Sequence, residues 1–272
     1  MSLRKRTPVR WQLPTIVLIF VGAGLAIVIL KRYSSDFHPP DSTRLKVESQ
    51  KMLLVPSAND SPTSVGSTNP PAVEAQEDRV VALITEGNQL IAQGNYTAAA
   101  QKYEQAVAIS PDQEDLHYNL AIALAKLGRT AEAKKHYEEA LRIFPDYAEA
   151  HNNLGNLLMN ENKLEEAIGR FQEALKNSPE NTSFHNNLGT ALGRQGKVTE
   201  AVREFEEAVK HSPTYVEARV NLANAFLTTG RVEEAITQLS EALRLKPDFK
   251  PALQAMQRAR QRQDASRIQK QK

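Results

Sequence analysis

The sequence predicts an all-α protein built as a solenoid of helical hairpins, and three observations carry the prediction. The phrase HNNLGN at 151–156 returns 34 residues later as HNNLGT at 185–190. Self-similarity at a fixed period of this size marks a repeat architecture. Pro111, Pro145, Pro179, Pro213 and Pro247 keep the same spacing and delimit five units, 80–113, 114–147, 148–181, 182–215 and 216–249. Gly94, Gly128, Gly196 and Gly230 share one position inside the units, and Asn162 stands there in the remaining one. Glycine and asparagine are the residues that tolerate the left-handed conformation ending a helix, so each unit reads as helix, turn, helix.

Taken in order, the chain begins with a basic stretch, 1–12, that holds Arg4, Lys5, Arg6 and Arg10. Residues 13–32 read as a transmembrane signal anchor. Thr15–Leu30 has no charge, and at 1.5 Å per residue it would cover about 24 Å of a hydrocarbon core about 30 Å thick. Trp11 and Tyr33 stand where interfacial aromatics would, while Lys31 and Arg32 can snorkel. The apolar run exceeds a usual signal h-region and ends in Lys-Arg, without a small-x-small cleavage site. Arg44 and Lys46 on the far side nearly balance the basic N-terminus, so orientation is weakly specified. The N-terminus is expected in the cytoplasm and the repeats in a periplasm or lumen. Residues 33–78, rich in Ser, Pro and Asn without a sustained period, read as a disordered tether.

The first helix of each unit carries an apolar pair with one small residue, as in Leu120/Ala121, Leu154/Gly155, Leu188/Gly189 and Leu222/Ala223. The small residue lets a neighbouring helix approach closely. The second helix repeats small, large, small at helical spacing: Ala99/Tyr103/Ala106, Ala133/Tyr137/Ala140, Ala167/Phe171/Ala174, Ala201/Phe205/Ala208 and Ala235/Leu239/Ala242. The large residue is expected to fill a gap between hairpins. The proline that follows cannot continue the helix. After the fifth unit, 250–264 is apolar on one side and Arg/Gln-rich on the other, as a capping helix would be, and 265–272 reads as a basic tail.

The period, the Leu-Gly/Ala pair, the Ala, Phe/Tyr, Ala series and the closing proline together resemble the tetratricopeptide repeat family over residues 80–249. The resemblance implies a right-handed superhelix of stacked hairpins whose first helices line a concave face.

Candidate site residues follow from the same register. Asn119, Asn153, Asn187 and Asn221 hold the sixth position of units two to five, which the resemblance places in the concave groove. A carboxamide both donates and accepts, so it can pair with a peptide backbone of any sequence. Asparagine ladders of this kind line the superhelix of O-linked N-acetylglucosamine transferases, whose catalytic domain has no counterpart here. Asn88, Asn156 and Asn224 join the candidate peptide-binding set. The competing reading is that these amides bridge neighbouring helices without a ligand. A two-carboxylate clamp, another mode of the family, is not expected, because Ile84 and Glu149 stand where it needs cations.

Other chemistry is not expected. There is no phosphate loop, H-E-x-x-H pair or nucleophile elbow, so neither catalysis nor a cofactor is implied. His117, His151 and His185 recur in register, but equivalent residues on stacked helices lie about 10 Å apart, too far to share a zinc ion. They read as packing histidines. The C-terminal Arg258, Arg260, Arg262, Arg267, Lys270 and Lys272 lack interleaved aromatics, and the net charge is only +2, so nucleic acid is not an expected partner. Nor is a small-molecule substrate. There is no cysteine, which removes disulfides and thiolate metal sites. The expected protein is a membrane-anchored, non-catalytic scaffold that binds extended segments of partner proteins. A structural subunit of an envelope complex, packing through its convex face or edges, is the alternative, and an accessory module for a separate enzyme is the third.

Overall fold

The protein was analysed as a computed structural model that describes residues 71–270 together with Phe20–Val21 and Gly24–Leu25. Strands β1 (Phe20–Val21) and β2 (Gly24–Leu25) pair antiparallel, Phe20 opposite Leu25 and Val21 opposite Gly24. These four residues are extended where the anchor expectation was helical. Phe and Val favour strands as readily as they make an apolar run. The rest of the 13–32 span and the tether up to residue 70 lie outside the described residues. Among the described residues no helix is long and apolar enough to cross a membrane.

Eleven helices follow among the described residues: α1 Pro71–Ala92, α2 Tyr96–Ile109, α3 Glu114–Lys126, α4 Thr130–Ile143, α5 Ala148–Asn160, α6 Leu164–Asn177, α7 Thr182–Arg194, α8 Val198–His211, α9 Val216–Thr228, α10 Val232–Leu245 and α11 Lys250–Lys270. Odd-numbered helices α1 to α9 are the first helices of the units and even-numbered ones the second. Each second helix packs on its own first helix and on the first helix of the next unit.

The turns have the chemistry their residues dictate. Gly94, Gly128, Gly196 and Gly230 have φ of 76°, 76°, 88° and 77°, and Asn162 has φ 61°. The next residue donates its N–H back across the helix end, Arg129 to the Leu124 carbonyl at 2.9 Å and Lys163 to that of Leu158 at 2.9 Å. This is the bond that satisfies a helix C-terminus when the chain turns left-handed.

The core is a column. All ten alanines of the second-helix series, Ala99 to Ala242, are fully buried, and between them lie Tyr103, Tyr137, Phe171, Phe205 and Leu239. Each aromatic is seated within its own hairpin, rather than only between hairpins as expected. A Cβ on Gly155 would lie 2.7 Å from Phe171 Cε1, and one on Gly189 2.8 Å from Phe205 Cε1. The missing side chain on the first helix is the space into which the ring fits.

Both ends extend further than the sequence reading. Helix α1 begins at Pro71, inside the expected tether. Proline suits the first helical position, and the Ala, Glu and Gln after it favour helix without an apolar stripe. Residues 75–79 are exposed, so no periodicity betrays them. At the other end α11 runs past 264 to Lys270, through part of the expected tail. Its apolar stripe, Ala252, Ala255, Met256 and Ala259, is buried against the last unit, and neither glycine nor proline stops the helix beyond it.

Candidate functional site

Helical periodicity puts the sixth residue of α3, α5, α7 and α9 toward the first helix of the preceding unit. Asn187 Nδ2 donates to Asn152 Oδ1 at 2.8 Å, and Asn221 Nδ2 to Asn186 Oδ1 at 2.9 Å. Asn153 Nδ2 donates to the Tyr118 hydroxyl at 3.2 Å. The acceptor is always the fifth residue of the unit before: Tyr118, Asn152 or Asn186. For Asn119 that position is Ile84, which offers no acceptor, and Asn119 Nδ2 is buried without a hydrogen-bond partner. Burying an unpaired amide costs stability. Three of the four sixth-position amides therefore bridge units through their N–H groups, while Asn153, Asn187 and Asn221 remain half-buried. Asn152 and Asn186, the buried acceptors, were not singled out from sequence. Their signal was the doubled asparagine of HNNLG.

The ninth position behaves differently. Asn88 Oδ1 accepts from the Tyr103 hydroxyl at 2.7 Å, and Asn224 Oδ1 accepts from Arg258 Nη2 at 3.1 Å. Asn156 is half-buried on α5.

Two of the predicted residues, Asn221 and Asn224, meet at an open pocket of about 300 Å³ between α7 and α9. Its floor is apolar, with Gly189 and Gly193 from α7, Val198, Ala201 and Phe205 from α8, and Ala225 from α9. Its rim is polar: Thr190, Arg194, Asn221, Asn224 and Thr228. No carboxylate lines it. Thr190 occupies the ninth position of its unit, equivalent to Asn156 and Asn224, so the period itself could have found it. Such a hollow can take an apolar side chain while the rim pairs with the backbone that carries it.

The recurring histidines each do one job in common. Nε2 of His117, His151 and His185 lies 2.9 Å from the carbonyl of Pro111, Pro145 and Pro179 respectively. A carbonyl only accepts, so Nε2 carries the hydrogen. In the fifth unit Arg219 replaces histidine and donates to the Pro213 carbonyl at 2.8 Å. What differs is the residue nineteen positions on. His117 Nδ1 faces His136 Nδ1 at 3.0 Å, and His185 Nδ1 faces Glu204 Oε2 at 2.7 Å. Burial opposes charge on His185, but the Glu204 carboxylate, the Pro179 carbonyl and the charge of Glu207 outweigh it and raise its pKa. His151 titrates below the ordinary value, first through burial and then through the positive charge of Arg170. His136 is lowered by burial and by His117. Each histidine is committed to its own proline, and no group of three or more metal-ligating side chains occurs among the described residues.

Comparison with known proteins bears on the fold. The TPR repeat profile matches residues 87–128, and a tetratricopeptide repeat profile matches 118–182 and 186–248. Together these cover more than half of the chain. No curated protein matches. Among solved structures, YrrB, described as a TPR protein with an unusual peptide-binding site, is 22% identical, with 68% of this chain and 96% of that one covered and a TM-score of 0.57. PilF of Pseudomonas aeruginosa is 21% identical, covering 68% and 90%, with a TM-score of 0.56. A thermophilic TPR protein of Thermus thermophilus, TTC0263, is 24% identical, covering 67% and 98%, with a TM-score of 0.51. At these identities the likeness is one of fold.

Proposed function

The chain belongs to the tetratricopeptide repeat family, and from that premise we propose that it is a non-catalytic scaffold binding extended segments of partner proteins along the groove lined by its first helices. The observation that carries the reading is the pocket between α7 and α9, where an apolar floor is edged by Asn221, Asn224, Thr190 and Thr228. The peptide-binding site in the description of YrrB is in keeping with it. The N-terminal residues 13–32 anchor the scaffold in a membrane, and the repeats stand outside the cytoplasm. Protease added to spheroplasts tests this arrangement: repeats that survive until the inner membrane is lysed would put them in the cytoplasm.

The asparagine bridges refine how the groove works. Because the Nδ2 groups of Asn153, Asn187 and Asn221 are held by neighbouring units, a bound backbone would meet their free faces and the ninth-position residues. The double variant Asn153→Ala/Asn187→Ala separates the two roles. Each net hydrogen bond contributes about 0.5 to 1.5 kcal/mol, so a melting temperature lowered by several degrees is expected from the lost bridges. Affinity for a partner captured by crosslinking in native membranes should fall with it. Unchanged affinity with lowered stability would leave the asparagines as bridges alone.

A further inference from the structure

Cationic side chains stand on both flanks of the pocket, Arg194 on α7 and Arg258 and Arg262 on α11. Arg194 lies on its rim. Arg258 Nη2 donates to the rim residue Asn224, and Arg262 Nη1 donates to the Leu227 carbonyl, next to the rim residue Thr228. Arg194 is held by the Met159 carbonyl at 2.9 Å and Asn162 Oδ1 at 3.2 Å. All of these acceptors are neutral.

Several arginines elsewhere are paired with carboxylates, although Arg219, like these three, meets only neutral acceptors, the Pro213 carbonyl and Gln238. Arg129, Arg142, Arg231 and Arg244, at or within the second helices, each pair with a glutamate. Among the described residues none of Arg194, Arg258 and Arg262 forms an ion pair with a carboxylate. Neutral acceptors fix their positions and leave their charge uncompensated. A guanidinium has five N–H donors in a rigid fork, so one or two such bonds leave donors free for a carboxylate.

The first-helix stack is graded in the same sense. Helices α3 and α5 hold Glu114, Asp115 and Glu149 against Lys126. Helix α7 holds Arg194 alone, α9 balances Glu217 with Arg219, and α11 sets Lys250, Arg258, Arg260, Arg262, Arg267 and Lys270 against Asp264. The positive charge of the first-helix stack is therefore concentrated on α11.

We propose that the pocket is a subsite for an acidic partner segment, in which one apolar side chain rests on the Phe205 floor and an Asp or Glu about three residues along pairs with Arg258 and Arg262. The spacing follows from geometry: successive first helices lie about 10 Å apart, which an extended chain covers in about three residues. Asn224 keeps its amide N–H groups for the intervening backbone. The inference rests on the groove reading above and adds to it the partner's chemistry and polarity.

The test uses the full chain in detergent micelles and short fluorescein-labelled peptides of Gly, Ser and Asn. One carries Leu-Ser-Ser-Asp-Glu. Its variants replace Asp-Glu by Ser-Ser or Lys-Lys, or Leu by Ser, and every peptide is made in both sequence orders. In fluorescence anisotropy the acidic peptide should bind roughly tenfold tighter than the Ser-Ser form in one order, and the Lys-Lys form not at all. Added salt should narrow the difference. The variant Arg258→Glu/Arg262→Glu, at two exposed positions, should reverse the preference and take the Lys-Lys peptide. Thr228→Trp, which fills the mouth from another exposed position, should abolish the dependence on Leu. Equal binding of acidic and neutral peptides that Thr228→Trp still blocks would overturn the acidic partner and leave the groove. Acid preference that survives the charge reversal would overturn the placement. If no peptide binds, both readings fall.

Discussion

At the scale of the residue, register fixes where a side chain points and its neighbour decides what it does. His117, His151 and His185 make the same bond to a proline carbonyl, yet His151 and His185 titrate in opposite directions. His185 is raised by Glu204 despite its burial. Stability from that pair is fully present below the ordinary histidine value of about 6.5 and is lost as pH rises through the higher folded value. His136 and His151 are lowered, chiefly by burial. Stability from keeping them neutral is present above about 6.5 and is lost as pH falls through their lower folded values. Side-chain NMR titration should therefore place the His185 midpoint above 6.5 and those of His136 and His151 below it. Glu204→Gln should lower the His185 midpoint, because burial remains when the carboxylate is gone. A His185 midpoint unmoved by that substitution would show the carboxylate to be irrelevant.

At the scale of the element, a hairpin is two helices that meet at a glycine and an aromatic ring. The Gly155 backbone lies where a Cβ would press within 2.7 Å of Phe171. Phe171 is fully buried between Ala167 and Ala174. Truncating such a ring to Ala costs roughly 3 to 5 kcal/mol, through lost transfer energy and the cavity left behind. A stack whose units contact only their neighbours should respond locally. Phe171→Ala is expected to split denaturant unfolding into two transitions, with units one and two parting from units four and five. A single transition at an unchanged midpoint would contradict the seating of the ring. In the second unit Ala121 holds the position of Gly155 and Tyr137 that of Phe171, so a methyl stands there where the third unit has none. Gly155→Val asks for more than that.

At the scale of the whole molecule, a solenoid has two ends and each must hide an apolar face. Helix α11 does this for the last unit by burying Ala252, Ala255, Met256 and Ala259. Met256 alone should contribute roughly 1.5 to 3 kcal/mol. Removing residues 250–272 should therefore destabilise the fifth unit by at least that amount and leave the second unit almost untouched. Hydrogen exchange should show protection lost from α10 and α9 first, fading toward α3. Uniform loss of protection along the stack would mean that it unfolds as one body. The same helix carries the arginines beside the groove, so the truncation should also weaken the acidic-peptide preference in proportion.

The 34-residue period was legible because every unit solves the same problem with the same residues: glycine or asparagine where the chain turns left-handed, alanine where helices touch, proline where a helix stops. Each of those choices is dictated by local backbone or steric limits, so one sequence displays them five times over. The extensions of α1 and α11 were not legible, since their exposed residues carry propensity without periodicity. Nor was the work of the asparagines. Asn119 and Asn187 hold the same position in their units, but one faces Ile84 and the other Asn152, and only the stacking of hairpins decides whether an amide finds an acceptor. The pocket depends on that stacking too. Gly189 and Gly193 remove side chains from one helix, Ala225 leaves room on the next, and Phe205 closes the space beneath from a third. A sequence specifies what each helix can offer. The hollow, the charge gathered beside it and the pairing of each amide arise between helices, where distances are set by packing rather than by order along the chain.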